Sequence, residues 1–189
     1  MKIVEKTVIF LLLLLPLFTA CSESEELSPY HNWEKRNAQY VDSIAGVARD
    51  NVGGDWKIVL PVGLDPAVQH PNDNYVYCKV KSAGSGTVSP SYNDTVFVNY
   101  RGQLIDGKVF DSTYSGKLVP EYETPVETPL SECVQGFVAA VQEMVAGDIW
   151  EVYIPSALGY GADDYGVVRE NSTLIFTINL VKFFHVGEK

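Results

Sequence analysis

The chain has 189 residues, of which 46% are hydrophobic and 12% aromatic, with a formal net charge of −10 and a pI of about 4.7. This length is enough for one well-buried domain plus an extra segment and too little for two large domains. No basic run or stripe is present, which argues against a nucleic-acid backbone as partner; acidity by itself marks a soluble surface.

The chain opens with Lys2 and Lys6, then an apolar run from Val8 to Phe18. That run is shorter than the roughly 20 residues a membrane-spanning helix needs, and its anatomy is that of a secretory signal. Phe18-Thr19-Ala20-Cys21 resembles a bacterial lipobox, with Phe18 at the usually aliphatic position. On this reading residues 1–20 are a signal peptide, Cys21 is the lipidated first residue of the mature chain, and residues 21–32 are an acidic tether. The expected location is the bacterial cell envelope, on the periplasmic side or the cell surface. An ordinary signal peptide with an incidental Cys21 is the alternative. The acidic "SESEE" stretch is also similar to a surface-export signal of some bacterial lipoproteins, beside the plainer reading as a solvated linker.

From Ser28 to Asp50 the pattern is helical, with Trp33, Asn37, Tyr40/Val41, Ile44 and Val47/Ala48 at steps of three and four. Pro29 suits a first turn, and Asn51 with Gly53-Gly54 ends the helix. The stripe is a packing face. Trp56–Val62 reads as a strand, and 63–74 as a loop broken by Pro66 and Pro71. Residues 33–74 are therefore assigned to an N-terminal helix–strand extension, and 75–185 to the main domain.

From Tyr75 the signal becomes β. "YVYCKVK" and "DTVFVNYRGQL" alternate, and Asp106-Gly107 is a hairpin turn. A proline-broken connector (118–130) precedes one short amphipathic helix over Val134–Val145, with Val134, Phe137, Val141 and Met144/Val145 on one face and Gly147 as its cap. "DIWEVYIP" is a strand with Trp150, Val152 and Ile154 on one face. A long glycine-bearing loop leads to "STLIFTINLVKFF", a closing strand with Leu174, Phe176, Ile178 and Leu180 together. Antiparallel sheet, one short helix, then more sheet make an α+β fold.

The usual catalytic inventories are nearly empty. His31, His70 and His185 are scattered, and no H-E-x-x-H, P-loop, G-x-G-x-x-G or G-x-S-x-G is present; no metal and no cofactor is expected. Asp163-Asp164 could hold calcium but reads more simply as a solvated loop. Cys78 and Cys133 are too few for a disulfide framework; a single bridge or two buried thiols remain open, the thiols being the simpler reading. A reaction needing no nucleophile, metal or acid–base pair fits this inventory.

"VNYRGQLIDGKVFDST", "VQGFVAAVQEMVAGD", "IPSALGYG" and "NSTLIFTINLVKF", in that order, resemble the FKBP-type peptidyl-prolyl cis–trans isomerases. The resemblance runs from about Tyr75 to Phe184. It implies a twisted antiparallel sheet wrapped across one short helix with a ligand pocket between them. Tyr100, Phe110, Phe137 and Phe176 would wall the proline ring, Phe137 replacing the family's usual Trp. Val126 would sit near a further wall, Cys133 and Val134 would hold the peptide by backbone groups, and Val168 would close the pocket. Tyr160 would donate its hydroxyl to a substrate carbonyl, and Asp111 would bond with Tyr100 and face the twisting carbonyl. Tyr100, Asp111, Tyr160 and Phe176 are the expected catalytic set. Proline-containing polypeptides are the implied partners, with the membrane through the anchor on Cys21 and the family's macrolide inhibitors as pocket ligands. Arg169 and Glu170 stand where the family often has an apolar-Pro-Pro stretch, so the flap is more charged.

Hairpin geometry supports part of this. A two-residue Asp106-Gly107 turn pairs Gly102 with Asp111 and Tyr100 with Thr113, making Tyr100 and Asp111 diagonal neighbours on one face. Phe110 falls on the opposite face, and only a bulge or strong twist brings it into the same pocket; plain core is its alternative. A hydrogen-bonded structural carboxylate is the alternative for Asp111. The expected function is prolyl isomerisation assisting the folding of exported proteins; the alternative is a non-catalytic proline-binding or chaperone module on the same fold.

Overall fold

A computed structural model describes residues 28–188. The expectations for residues 1–20, for Cys21 and for the tether up to residue 27 lie outside the described residues. The chain divides into units of residues 1–31 and 32–189, and the second carries the helix, the sheet and the pocket.

Helix α1 spans Trp33–Asp50. It starts later than Ser28 because Asn32 takes a left-handed conformation (φ 51°), which cannot continue a right-handed helix. Residue 51 ends it, and Gly53 (φ 90°) turns the chain back. Strand β1 is Trp56–Val59. It stops short of Val62 because Pro61 has no N–H to give a ladder.

Six further strands follow: β2 (Val76–Ser82), β3 (Thr95–Gln103), β4 (Val109–Ser112), β5 (Val126–Pro129), β6 (Ile149–Ile154) and β7 (Leu174–Phe184). They form one antiparallel sheet in the order β1-β2-β6-β7-β3-β4, with β5 also pairing with β3. Helix α2 spans only Gln135–Val141. The expected continuation to Val145 tightens into i→i−3 turns, Glu143 N–H to Ala140 O and Met144 N–H to Val141 O.

The register explains the burial. Trp150, Val152 and Ile154 of β6 lie opposite Ile178, Phe176 and Leu174 of β7, and all six are buried. This face packs on α2, so closely that a Cβ on Gly136 would stand 2.3 Å from Ile154 Cγ2. Tyr77, Tyr153 and Ile175 point the other way and are also buried, beneath Val41, Ala45 and Ala48 of α1 and beside Trp56. The sheet is thus covered on both faces, and the stripe of α1 that packs is Trp33, Asn37, Val41, Ala45 and Ala48, flanked by the half-buried Tyr40 and Ile44. Cys78 and Cys133 are both free, so no bridge joins them.

Candidate functional site: an aromatic cavity between the sheet and the short helix

The cavity begins in the β3–β4 hairpin. Leu104 N–H donates to Lys108 O at 2.9 Å, so the loop is Ile105-Asp106-Gly107, with Gly107 at φ 83°. Three residues replace the expected two. The extra residue is compensated one step later, where Gln103 pairs with Val109 but Gly102 with Asp111, leaving Phe110 as a bulge. The expected pairing of Gly102 with Asp111 therefore holds by two offsetting departures. The bulge swings Phe110 onto the cavity side, where its ring lies against Gly102: a Cβ there would come within 2.4 Å of Phe110 Cζ and 2.8 Å of Phe176 Cε1.

Four rings from four elements meet there. Phe176 (β7) is central, in edge-on contact with Phe110 (5.4 Å between centroids), Phe137 of α2 (5.4 Å) and Tyr100 of β3 (6.0 Å). Tyr100 and Phe137 also meet edge-on at 6.3 Å. Such T-shaped packing is the favoured arrangement of aromatic quadrupoles, so the cluster fixes its own shape. The cavity of about 580 Å³ beside it is lined by these rings together with Val98, Asp111, Val126, Glu127, Thr128, Glu132, Cys133, Val134, Tyr160 and Tyr165.

The polar edge is equally ordered. The Tyr100 hydroxyl donates to Asp111 Oδ2 at 2.5 Å. Burial, and then this bond, push the Tyr100 pKa well up, so the hydroxyl stays a donor throughout the neutral range. Asp111 itself is exposed at the mouth. The Cys133 thiol is pushed up by burial, partly offset by a hydrogen bond with Thr128. The Val134 carbonyl accepts from Phe137 N–H (2.9 Å) and Val138 N–H (3.1 Å), so this extended residue is where the cavity wall turns into α2. Val126 lies on the rim, 39% exposed.

Tyr160 enters from the loop after β6 and stacks on Tyr165, centroids 4.4 Å apart and planes 9° apart. Burial first, and then Tyr165 and Asp111, raise the Tyr160 pKa. Val168 is buried in the same loop and is not among the residues that line the cavity; its N–H and C=O exchange bonds with Tyr165, which does line it while remaining 62% exposed. The loop is internally tied: Asn171 N–H donates to Gly161 O (2.8 Å), and Glu170 N–H to Asp164 Oδ1 (2.9 Å). Asp164 is thus engaged with the backbone of its own flap. Tyr165, Glu127, Thr128 and Glu132 were not singled out from the sequence; an aromatic flanked by glycine and acid in "DDYG" was the available signal for Tyr165.

Compared with known proteins, residues 86–181 match the family described as FKBP-type peptidyl-prolyl cis-trans isomerase. The chain is 42% identical over 109 residues to the peptidyl-prolyl cis-trans isomerase Mip of Coxiella burnetii, covering 57% of this chain and 44% of that one. It is 40% identical over 126 residues to the outer membrane protein MIP of Legionella longbeachae, covering 66% and 46%. The chain thus spans less than half the length of these relatives. Among solved structures, a peptidyl-prolyl cis-trans isomerase from Pseudomonas syringae pv. tomato superposes with a TM-score of 0.57 at 22% identity, covering 84% of this chain and 98% of that one. FkpA from Escherichia coli gives a TM-score of 0.53 at 25% identity, covering 81% and 63%. The fold is therefore the α+β arrangement expected from the sequence.

Proposed function

The chain belongs to the FKBP-type peptidyl-prolyl cis-trans isomerase family, and from that premise we propose that it isomerises X–Pro bonds of exported polypeptides in the aromatic cavity. The observation that carries this reading is the four-ring cluster of Tyr100, Phe110, Phe137 and Phe176 beside a polar mouth formed by Asp111 and Tyr160.

The chemistry follows from the amide. Rotation about C–N crosses a barrier of about 18–20 kcal/mol because that bond is partly double, which leaves uncatalysed X–Pro exchange at tens to hundreds of seconds. The planar amide is strongly dipolar and best solvated by water, and the twisted amide less so. A cavity that seats the proline ring against Phe137 and Phe176 and strips water from the amide favours the twisted form. The Tyr160 hydroxyl, kept protonated, donates to a substrate carbonyl and fixes which side of the bond is held. Asp111, oriented by Tyr100, presents negative charge to the carbonyl carbon as it rotates out of conjugation. The backbone at Cys133 and Val134 holds the flanking peptide. A thousandfold acceleration requires about 4 kcal/mol of differential stabilisation, within reach of aromatic walls and two polar contacts. A macrolide inhibitor of the family would occupy the same cavity.

We place the chain in the cell envelope, anchored by a lipid on Cys21, on the support of the apolar run before that residue and of a relative named as an outer membrane protein. The full chain should accelerate the proline-limited refolding phase of an unrelated protein, and catalytic amounts should suffice. Acceleration only at stoichiometric amounts would indicate a holding module. Intact-mass measurement of wild type against Cys21→Ser tests the anchor.

A further inference from the structure

Helix α2 separates two concavities. Phe137 faces the aromatic cavity, while the next residues, Val138 and Ala139, together with the buried Pro61 line a second groove of about 460 Å³, since successive helical positions diverge by roughly 100°. Val62 and Tyr92 stand at its sides, 87% and 52% exposed. Among the described residues no ionised side chain lines it; Gln135, Gln142 and the Tyr92 hydroxyl supply polar groups. Cys133 lines both concavities. Pro61 and Val62 precede the segment that matches the family, so this groove is completed by the chain's own N-terminal extension.

We propose that the groove binds the substrate polypeptide beyond its proline and selects a bulky apolar side chain two to four residues away from the X–Pro bond. The inference rests on the isomerase reading of the adjoining cavity. Its occupant follows from adjacency: a chain held at Cys133 and Val134 lies beside the groove, which Cys133 also lines. Its length follows from α2. Lining residues from Gln135 to Gln142 extend for roughly 10–12 Å at 1.5 Å per helical residue, the reach of about three extended residues at 3.3–3.6 Å each. Its chemistry follows from the lining, an apolar floor for a side chain and two amides able to bond the extended backbone. Val62 and Tyr92, exposed beside that floor, are covered when the side chain enters.

The test uses the full chain and two proline peptides of equal length, identical at the X–Pro core. One carries Leu, the other Ser, two to four residues away on both flanks. Binding is followed by NMR at the Val62 methyls and at the Tyr100 and Phe176 rings. The Leu peptide should bind roughly tenfold more tightly and shift Val62, and the preference should fall to near unity in Val62→Ser/Tyr92→Ser, whose exposed positions tolerate polar residues. Equal affinity for the two peptides in wild type, or a preference that persists in the double variant, overturns the proposal. So does a chain that self-associates through this face and becomes monomeric in the double variant, because the groove is then a seam between copies. If both peptides shift Tyr100 and Phe176 alike without touching Val62, the groove assignment fails and the isomerase reading stands. If neither reaches those rings, the isomerase reading itself fails.

Discussion

The indole N–H of Trp33 donates to Ser172 Oγ at 2.9 Å in a buried bond that spans 139 positions of sequence. One turn along, Asn37 Oδ1 accepts from the N–H of Thr173 at 2.7 Å, and its amide donates to Trp33 O. Ser172 and Thr173 close the loop that carries Tyr160 and Tyr165 and lead into β7. The N-terminal helix therefore holds the flap of the cavity from behind. Asn37→Ala leaves the Thr173 N–H buried without its acceptor, at about 1–3 kcal/mol, or several degrees of melting temperature for a domain of this size. Thermal unfolding checks it; an unchanged midpoint would show that water replaces the side chain.

Deleting residues 22–54 removes that helix and uncovers Tyr77, Tyr153 and Ile175 on the outer face of the sheet. The truncated chain should lose cooperative unfolding or aggregate, as read by urea titration with two probes. Coincident transitions near the wild-type midpoint would show that the helix is dispensable.

Gly102→Ala tests the shape of the cavity wall. Its backbone has no left-handed requirement, yet the new methyl meets the Phe110 and Phe176 rings at 2.4–2.8 Å. Phe110 is only partly buried, so its ring can move aside, but Phe176 is buried and must shift as well. Isomerase activity should drop on the order of ten- to a hundredfold, with a loss of stability of about 1–3 kcal/mol. Full activity would mean that Phe110 is not part of the working wall.

Cys78 contributes to the loss of stability at alkaline pH. Burial holds its thiol well above the ordinary value of 9.0, so above pH 9 the unfolded chain releases a proton that the folded chain retains. The folded state binds more protons there, and stability falls as pH rises, by up to about 1.4 kcal/mol per pH unit for this one group. Below pH 9 the thiol is protonated in both states and its contribution is constant. Urea midpoints for wild type should decline between pH 9 and 10 more steeply than those for Cys78→Ala; parallel curves would assign the loss to other groups.

Much of this architecture is legible in the sequence because alternation and helical periodicity report burial directly. Phe176, Phe137 and Tyr100 follow from that pattern together with the family resemblance. Phe110 does not, since a three-residue loop and a bulge shift the register twice, and neither leaves a mark in hydrophobic alternation. The loop is less legible for a related reason: no period there tells how Tyr165 and Val168 are disposed, and Val168 is buried while Tyr165, 62% exposed, stacks on Tyr160 at the cavity's edge. The second layer was only half visible. The apolar outer positions Tyr77, Tyr153 and Ile175 called for a covering element, but the stripe on α1 could not by itself say that its partner was this sheet.

Tyr160→Phe deletes one hydroxyl and leaves the stack on Tyr165 in place. A neutral hydrogen bond contributes about 0.5–1.5 kcal/mol, so activity should fall between a few-fold and about tenfold if that bond tightens in the twisted state. Weaker binding with an unchanged bound-state exchange rate would make the contact equally strong in both states.

The central claim is that this cavity speeds rotation about the X–Pro bond and does more than grip proline. NMR exchange spectroscopy on an apolar-X–Pro peptide, with and without the full chain, measures that rate directly at equilibrium. The account predicts exchange at least a hundredfold faster than the uncatalysed tens to hundreds of seconds, with Tyr100, Phe137 and Phe176 resonances perturbed by the peptide. Perturbation of those rings with exchange still at the uncatalysed rate would contradict it.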